Sequence, residues 1–275
     1  MKCFYHSADL DGHCSGAIVK HKFPECEMIG IDYGDKFPWD SIKLHEAVYM
    51  VDFSLQPFDQ MIELNERCDL IWIDHHKSAI EECKNSESIF FGVQNSDLAA
   101  CELTWKYFSG DKPPTAVFLL GRYDVWDHSD PNVLPFQYGL RMEENTFPGS
   151  PVWDDLFLDE GRKKFFEILH RGRVALEYQK QQNKKIIKSR GFEIELDGLR
   201  VIACNAPLTN SQLFDFVWDP EKYDAMLTFS MRPDRQYTIS MYTDKPEVDV
   251  SEICKARGGG GHKGAAGFQC NELPF

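Results

Sequence analysis

Short apolar segments that end in histidine or aspartate constrain the fold of this chain more than any other feature of the sequence. Residues 2–5 lead into a motif of one histidine and two aspartates, and residues 70–73 lead into Asp-His-His at 74–76. Short apolar segments of this kind are typical of buried strands. Because the carboxyl ends of parallel strands meet at one edge of a sheet, the polar residues that follow them are expected to form a site there.

Helical patterns separate the strand-like segments in the first half of the chain. Strands are predicted at residues 2–5, 27–31, 47–51 and 70–73. Helices are predicted at residues 12–22, 57–67, 98–108 and 115–123. This alternation predicts an α/β fold with a doubly wound parallel sheet, which we assign to residues 1–150.

The next segment, from about residue 161 to 190, is long, polar and rich in lysine, arginine and glutamine. Its apolar residues form one stripe, which is typical of an amphipathic helix. The stripe consists of Phe165, Ile168, Leu169 and Leu176. We therefore assign residues 151–190 to a connecting helical linker.

Residues 191–275 are assigned to a second, smaller α/β domain. The Asp197-Gly198 pair between residues 192–196 and 199–204 predicts a hairpin with a type I′ turn. Paired strands are predicted at 225–230 and 236–242, and short helices at 211–217 and 250–255.

Composition and charge exclude several classes of protein. No apolar run approaches the roughly 20 residues needed to cross a bilayer, so no membrane partner is expected. The chain starts directly with a strand-like segment, so we expect no signal peptide. Nine cysteines without a CxxC pair are typical of reduced thiols, which favours a cytoplasmic protein. The net charge of −14 argues against tight binding of long nucleic acids, including long duplex DNA.

Candidate metal ligands follow successive strands and one helix. They are His6, Asp9, Asp11, Asp52, Asp74, His75, His76 and Asp124. Carboxylate and imidazole ligands suit Mn²⁺, Mg²⁺ or Co²⁺ better than structural zinc, which favours sulfur. Several carboxylates exceed the need of one ion, so two ions roughly 3.5–4 Å apart with a shared carboxylate are expected. Taken singly, each aspartate also fits a helix cap or a turn, but their recurrence after successive strands favours a metal site.

These motifs resemble those of the DHH/DHHA1 phosphoesterases. The resemblance covers nearly the whole chain and includes a glycine-rich motif close to its end. The matching residues are His6-x-x-Asp9-x-Asp11-Gly12, Asp52, Asp74-His75-His76, Asp124 and Gly258-Gly-Gly-Gly-His262-Lys-Gly-Ala-Ala-Gly267. The resemblance implies a two-domain phosphohydrolase that uses two divalent metal ions, usually Mn²⁺, and binds its substrate in a cleft between the domains.

The resemblance also implies a role for each ligand. His6, Asp9 and Asp52 are expected to hold one ion. The second ion is assigned to Asp11, Asp52, His75 and Asp124, with Asp52 as the bridge. His76 is expected to contact the scissile phosphate, and Asp74 to orient a histidine.

One spacing departs from the common family pattern. Many members have three residues between the histidine and the first aspartate, whereas His6 and Asp9 have two. The shorter form resembles the branch that contains some bacterial nano-RNases. We therefore expect an oligoribonuclease-like enzyme.

The glycine-rich motif is the candidate substrate-binding segment. Glycine reaches positive φ and lets backbone N–H groups approach a phosphate or a base. By resemblance, this segment grips the non-scissile phosphate or the terminal nucleotide of the substrate. The residues assigned to it are Gly259, Gly260, Gly261, His262, Arg257 and Lys263.

The resulting hypothesis is a metal-dependent phosphodiesterase that releases nucleoside monophosphates from short oligonucleotides or dinucleotides. Cyclic dinucleotides and 3′-phosphoadenosine 5′-phosphate remain alternatives with the same chemistry. An exopolyphosphatase or pyrophosphatase is the next alternative, although the second domain has few basic residues for it. A non-catalytic nucleotide-binding module ranks low, because no ligand of the motif is missing. The sequence leaves open the cleavage direction, the ribose preference, the physiological metal and the oligomeric state, for which a homodimer is one alternative.

Overall fold

The computed structural model describes residues 1–110, 112–158 and 162–275, and residues 159–161 of the predicted linker lie outside them. The chain divides into two units, Met1–Leu176 and Glu177–Phe275. The predicted boundaries at residues 150 and 190 remain predictions. Within the described ranges, no helix combines the length and the apolar character that crossing a membrane requires.

A parallel sheet of five strands forms the centre of the first unit. The strands are β1 (Lys2–His6), β2 (Glu27–Ile31), β3 (Ala47–Val51), β4 (Asp69–Asp74) and β5 (Phe91–Gln94). They lie in the order β2-β1-β3-β4-β5, and all four pairings are parallel. The predicted α/β fold with a parallel sheet is confirmed.

Helices surround this sheet. They are α1 (Leu10–Lys22), α2 (Asp59–Arg67), α3 (Lys77–Asn85), α4 (Ala100–Ser109), α5 (Thr115–Asp124), α6 (Val133–Leu140) and α7 (Pro151–Phe157). The helix α8 (Arg162–Arg190) continues from the first unit into the second. The first unit also contains a 3-10 helix at Trp39–Ser41.

Alternate residues of the strands enter different cores, as the pleat of a strand requires. Phe4, Met50 and Trp72 pack in one cluster with Met61 of α2. Residues adjacent to them in the strands, including Tyr5 and Val51, pack in another cluster with Val19 of α1 and Leu103 of α4. Both faces of the sheet are therefore buried, which is the property of a doubly wound sheet.

The second unit contains a mixed sheet of six strands. The strands are β6 (Gly191–Leu196), β7 (Leu199–Asn205), β8 (Ala225–Met231), β9 (Tyr237–Tyr242), β10 (Gly260–His262) and β11 (Ala265–Cys270). Their order is β10-β11-β9-β8-β7-β6. Within the described part of this second sheet, the β7–β8 pairing is parallel and the others are antiparallel. The helix α9 (Val250–Lys255) packs against this sheet.

The hairpin prediction is confirmed in the second unit. β6 and β7 pair in antiparallel fashion, and φ is positive at both Asp197 and Gly198, as a type I′ turn requires. The helix predicted at 211–217 is wrong in type and length, since the structure has a 3-10 helix at Ser211–Phe214. The Asn210 side chain caps it by accepting a hydrogen bond from Gln212 N–H.

Candidate metal centre

The order of the parallel strands determines where the predicted ligands meet. The chain moves outward from β1 in one direction to β2 and in the other direction to β3, so the topological switch point lies between β1 and β3. Ligand sites of open parallel sheets form at such a point, beyond the carboxyl ends of the strands. β1 ends at His6, and Asp52 directly follows β3.

A first cluster consists of His6, Asp9 and Asp52. Their ligand atoms all lie within 4.8 Å of one another. The His6 Nδ1 atom is 3.1 Å from Asp9 Oδ2 and 3.7 Å from Asp52 Oδ2. Asp9 also caps α1, because its Oδ1 accepts a hydrogen bond from Gly12 N–H at 2.9 Å. The cap and the cluster therefore use different oxygens of the same carboxylate.

Gly12 makes this arrangement possible. A Cβ atom on residue 12 would lie 2.1 Å from the carbonyl oxygen of His6, far inside any normal contact. Only glycine lets α1 begin so close to the end of β1.

A second cluster consists of Asp11, His75 and Asp124, whose ligand atoms also lie within 4.8 Å of one another. The His75 Nε2 atom is 3.2 Å from Asp124 Oδ2 and 3.7 Å from Asp11 Oδ2. Asp11 is held from behind, because its two oxygens accept hydrogen bonds from Ala100 N–H (2.9 Å) and Cys101 N–H (2.8 Å) at the start of α4.

Asp52 lies between the two clusters. Its Oδ1 atom is 3.3 Å from His75 Nε2, while its Oδ2 atom faces His6. The residue is 1% exposed, and neither oxygen has a hydrogen-bond partner among the residues that the structure describes. Its φ of 55° is unusual for a non-glycine residue. A buried carboxylate without hydrogen-bond donors needs positive charge beside it, which protonated His6 and His75 or a bound cation can supply.

The electrostatics of the clusters point to the same requirement. Burial raises the pKa of Asp11 to about 7, and the charge of Asp52 adds to the effect. Burial likewise raises the pKa of Asp124 to about 7, with Asp11 contributing. Burial also raises the pKa of Asp52. Buried carboxylates that lie close together are difficult to ionise at the same time. Divalent cations stabilise their charged forms.

In the metal-free chain, the same surroundings favour the charged form of the histidines. Burial lowers the pKa of His6, but the nearby carboxylates of Asp52 and Asp9 outweigh burial and raise the pKa to about 11. For His75 the same balance of burial against Asp52, Asp11 and Asp124 raises the pKa to about 10. Without metal, protonated imidazoles therefore neutralise part of the acidic charge.

Asp74 and His76 form a close pair, and His76 also belongs to a third group of potential ligands, together with Asp52 and His75. The fully buried Asp74 Oδ1 lies 2.7 Å from His76 Nδ1 and accepts hydrogen bonds from the N–H groups of His75 (2.7 Å) and His76 (3.2 Å). Burial lowers the pKa of His76, but Asp74 outweighs it and raises the pKa to about 9. With Nδ1 engaged by Asp74, Nε2 is the nitrogen that remains for another group.

The donor set fits divalent ions that prefer oxygen and nitrogen ligands. The clusters contain carboxylates and imidazoles, and no cysteine of the described chain belongs to them. Mn²⁺, Mg²⁺ and Co²⁺ match such ligands. The structure thus brings together the six residues that the family resemblance assigns to the two ions.

The predicted substrate residues lie in the second unit. Gly260 and Gly261 belong to β10 with His262, and φ is positive at Gly258 and Gly261. Lys263 is exposed in the turn before β11. The guanidinium of Arg257 makes two 2.8 Å contacts with the carboxylate of Asp197, so this charge has a partner inside the unit.

Sequence reasoning missed the residues that support the second cluster. Arg122, two positions before Asp124, donates a 2.6 Å hydrogen bond to Glu102, one position after Cys101. Gly121 leaves space for this pair, since a Cβ there would lie 2.7 Å from the Glu102 side chain. The available signal was weak, because a lone glutamate and a lone arginine on separate helices normally face solvent.

Comparison with known proteins gives one relative in sequence. No family model matches the chain. The uncharacterized protein R106 of Acanthamoeba polyphaga mimivirus is 28% identical over 292 residues, which cover 96% of this chain and 66% of that protein. The chain thus spans just under two thirds of the length of the relative it matches.

Solved structures give the fold. The DHH domain of PF0399, described as belonging to a family of ribosomal proteins, has a TM-score of 0.60 and 13% identity, covering 98% of this chain and 82% of that one. PggH from Vibrio cholerae, a pGpG-specific phosphodiesterase, has a TM-score of 0.56 and 11% identity, covering 98% and 92%. These likenesses establish that the chain has the fold of the DHH-domain proteins.

Proposed function

We propose that this protein is a two-metal phosphodiesterase that hydrolyses short oligonucleotides or dinucleotides to nucleoside monophosphates. The observation that carries the proposal is Asp52, a buried carboxylate whose oxygens face two separate ligand clusters. A carboxylate in this position is suited to bridge two ions, which is the arrangement that phosphoryl-transfer enzymes use.

The residues that would hold the ions follow from the two clusters. His6, Asp9 and Asp52 would hold one ion, and Asp11, Asp52, His75 and Asp124 the other. When bound, two such ions supply Lewis acidity and lower the pKa of a water molecule, which makes it a nucleophile at neutral pH. Mn²⁺ is the ion that we propose, in line with the family resemblance of the motifs.

His76 is the residue that we assign to the scissile phosphate. Asp74 keeps its Nδ1 side engaged and favours the protonated ring. The Nε2–H is then available to neutralise charge on the phosphate or to donate a proton to the leaving oxygen. Asp74 acts through His76, as a buried carboxylate behind an imidazole does in other enzymes.

The choice of a short substrate rests on charge. A net charge of −14 does not suit a long polyanion. Lys263 and the glycine-rich strand with His262 are proposed to bind the non-scissile end, with Arg257 contributing less because Asp197 already pairs with it. The name of PggH adds that a protein of this fold acts on a linear dinucleotide.

Product analysis with Mn²⁺ tests the proposal. The substrates are a dinucleotide, a five-nucleotide RNA, a cyclic dinucleotide, 3′-phosphoadenosine 5′-phosphate and polyphosphate. Release of nucleoside monophosphates from the dinucleotide or the short RNA is expected. Orthophosphate release from polyphosphate alone would overturn the proposal in favour of an exopolyphosphatase. Asp52→Asn is the matched control, since it removes the bridge while preserving the size of the side chain.

A further inference from the structure

The backbone at Trp126 has a conformation that a large side chain rarely adopts. Helix α5 ends in a turn in which Asp127 N–H donates to Arg122 C=O (2.8 Å) and Trp126 N–H donates to Tyr123 C=O (3.1 Å). This pair of bonds is the Schellman motif. Its left-handed residue is usually glycine, but here it is Trp126 with φ of 59°.

Burial of the Trp126 side chain contributes little that would offset this backbone strain. The residue is 52% exposed and belongs to none of the three hydrophobic clusters that the described residues of the first unit form. A core role is therefore excluded. Strained backbone of this kind persists where the surrounding structure enforces it, and it concentrates at ligand-binding and catalytic sites.

Neighbouring side chains hold the exposed indole in place. Its ring centroid is 4.5 Å from that of His128 and 5.8 Å from that of Tyr123. The Arg141 guanidinium lies 5.3 Å from the centre of the Tyr123 ring on the same cluster. Burial lowers the pKa of His128, so its ring is a neutral support. The indole is thus a supported aromatic surface with one part in solvent.

The backbone of Trp126 lies close to the candidate metal centre. Trp126 is two residues after the ligand Asp124, so their Cα atoms are at most about 7 Å apart. A phosphate group at the ions would bring whatever is attached to it close to the indole. Polyphosphate has no group that uses such a surface, whereas a nucleotide carries a base with an aromatic face.

We propose that Trp126 is a substrate-binding residue whose indole stacks on a nucleobase of the substrate, so that the protein prefers nucleotides over base-free phosphate esters. The inference rests on the proposed function and adds the group that is recognised next to the scissile phosphate. Tyr123 and His128 are the residues that position the indole.

The test compares ligands with and without a base on the Mn²⁺-loaded protein. Binding of adenosine 5′-monophosphate and of ribose 5-phosphate is measured for the wild type, Trp126→Phe and Trp126→Gly, together with KM for a dinucleotide and its abasic analogue. A stacked base gives the wild type about a 5- to 150-fold preference for the ligands that carry one. Trp126→Phe keeps most of this preference, and Trp126→Gly loses it.

Thermal unfolding of the metal-free protein separates recognition from folding. Trp126→Gly places the usual residue at the left-handed position, so its Tm is expected to equal or exceed that of the wild type. Glu87→Gly is the matched control, because Glu87 is exposed with φ of 58° and lies in the same unit. It relieves a similar backbone strain and leaves the preference for the base unchanged.

Two results would overturn the role of Trp126. One is an unchanged preference for adenosine monophosphate over ribose 5-phosphate in Trp126→Gly, and the other is a large fall of its Tm, which would make the indole structural. Absence of diester hydrolysis by the wild type would instead reject the proposed function, while the binding comparison would still decide on Trp126.

Discussion

Arg122 and Glu102 form a largely buried ion pair that joins α5 to α4, the helices that hold Asp11 and Asp124 of the second cluster. α4 begins with the two N–H groups that hold Asp11, and α5 ends with Asp124. The ion pair therefore sets the separation of two residues that we assign to one metal ion. Its effect on metal binding is indirect, since neither side chain belongs to the cluster.

Glu102→Ala is expected to destabilise the protein and to loosen the second cluster. Among the described residues, removing Glu102 leaves the largely buried Arg122 with Asp127, at 3.6 Å, as its remaining ion-pair partner, and such a loss costs about 3 kcal/mol. Urea unfolding measures the stability, and a Mn²⁺ titration is expected to show weaker binding of one ion of the two. Asp127→Asn is the control, because this partner is exposed and more distant, so its removal is expected to change stability far less. An equal loss of affinity for both ions would contradict the positioning role.

Asp52→Asn is expected to prevent the simultaneous binding of two metal ions and to reduce turnover by at least about 100-fold. The amide has the same shape but supplies one oxygen and no charge, so it is a poor bridge between the His6 and His75 sides. Isothermal titration with Mn²⁺ gives the stoichiometry, which is expected to fall below two. A variant that still binds two ions with unchanged affinity would show that Asp52 is not the bridge.

Mn²⁺ binding is expected to release protons. In the metal-free protein the pKa of His6 is raised to about 11 and that of His75 to about 10, so both rings are protonated at pH 7. A ligating imidazole is neutral, so each ring loses its proton when the ion binds. Affinity therefore rises with pH. Titration calorimetry in two buffers of different ionisation enthalpy measures the protons released, and identical heats in both buffers would contradict the assignment.

Asp224 is expected to stabilise the second unit in a pH-dependent way. It bonds to Arg200 at 2.9 Å and to Lys245 at 2.8 Å, and these partners hold its pKa well below its usual range. A lowered pKa contributes stability above the unfolded value of about 3.9, and this contribution is lost as pH falls below that value. Asp224→Asn is expected to cost about 1 kcal/mol at pH 7.

Urea unfolding of Asp224→Asn and the wild type between pH 7 and pH 2.5 checks this prediction. The difference between the two proteins is expected to shrink at the acidic end. A difference that stays constant over the whole range would mean that packing, and not charge, explains the effect.

The ligand clusters were predictable from the sequence because their geometry follows from local rules. A residue directly after a parallel strand reaches the same edge as its counterparts, which brings Asp52 to His6 and His75. Long-range support was not predictable. The contact of Asp11 with Ala100 joins residues 89 positions apart, and no local pattern indicates it.

Segments without a distinctive apolar pattern also escaped prediction. β5 is short, lies at the edge of its sheet and exposes 72% of Phe91, so it has no buried run. β10 consists of two glycines and His262, and pairs with β11 through its backbone. The conformation of Trp126 is the opposite of what its residue type favours, and such exceptions are found where function opposes local preference.

Asp74→Asn is expected to lower kcat by about 100-fold while leaving Mn²⁺ binding intact. Asp74 contacts the His76 ring at 2.7 Å and raises the His76 pKa to about 9. An amide removes that charge, so the pKa of His76 falls and the ring loses its proton at a lower pH. The alkaline limb of the pH–rate profile therefore moves to lower pH, which steady-state kinetics across pH 6–10 measures. His13→Gln is a control for a buried histidine outside both clusters, and loss of metal from Asp74→Asn would show that Asp74 is itself a ligand.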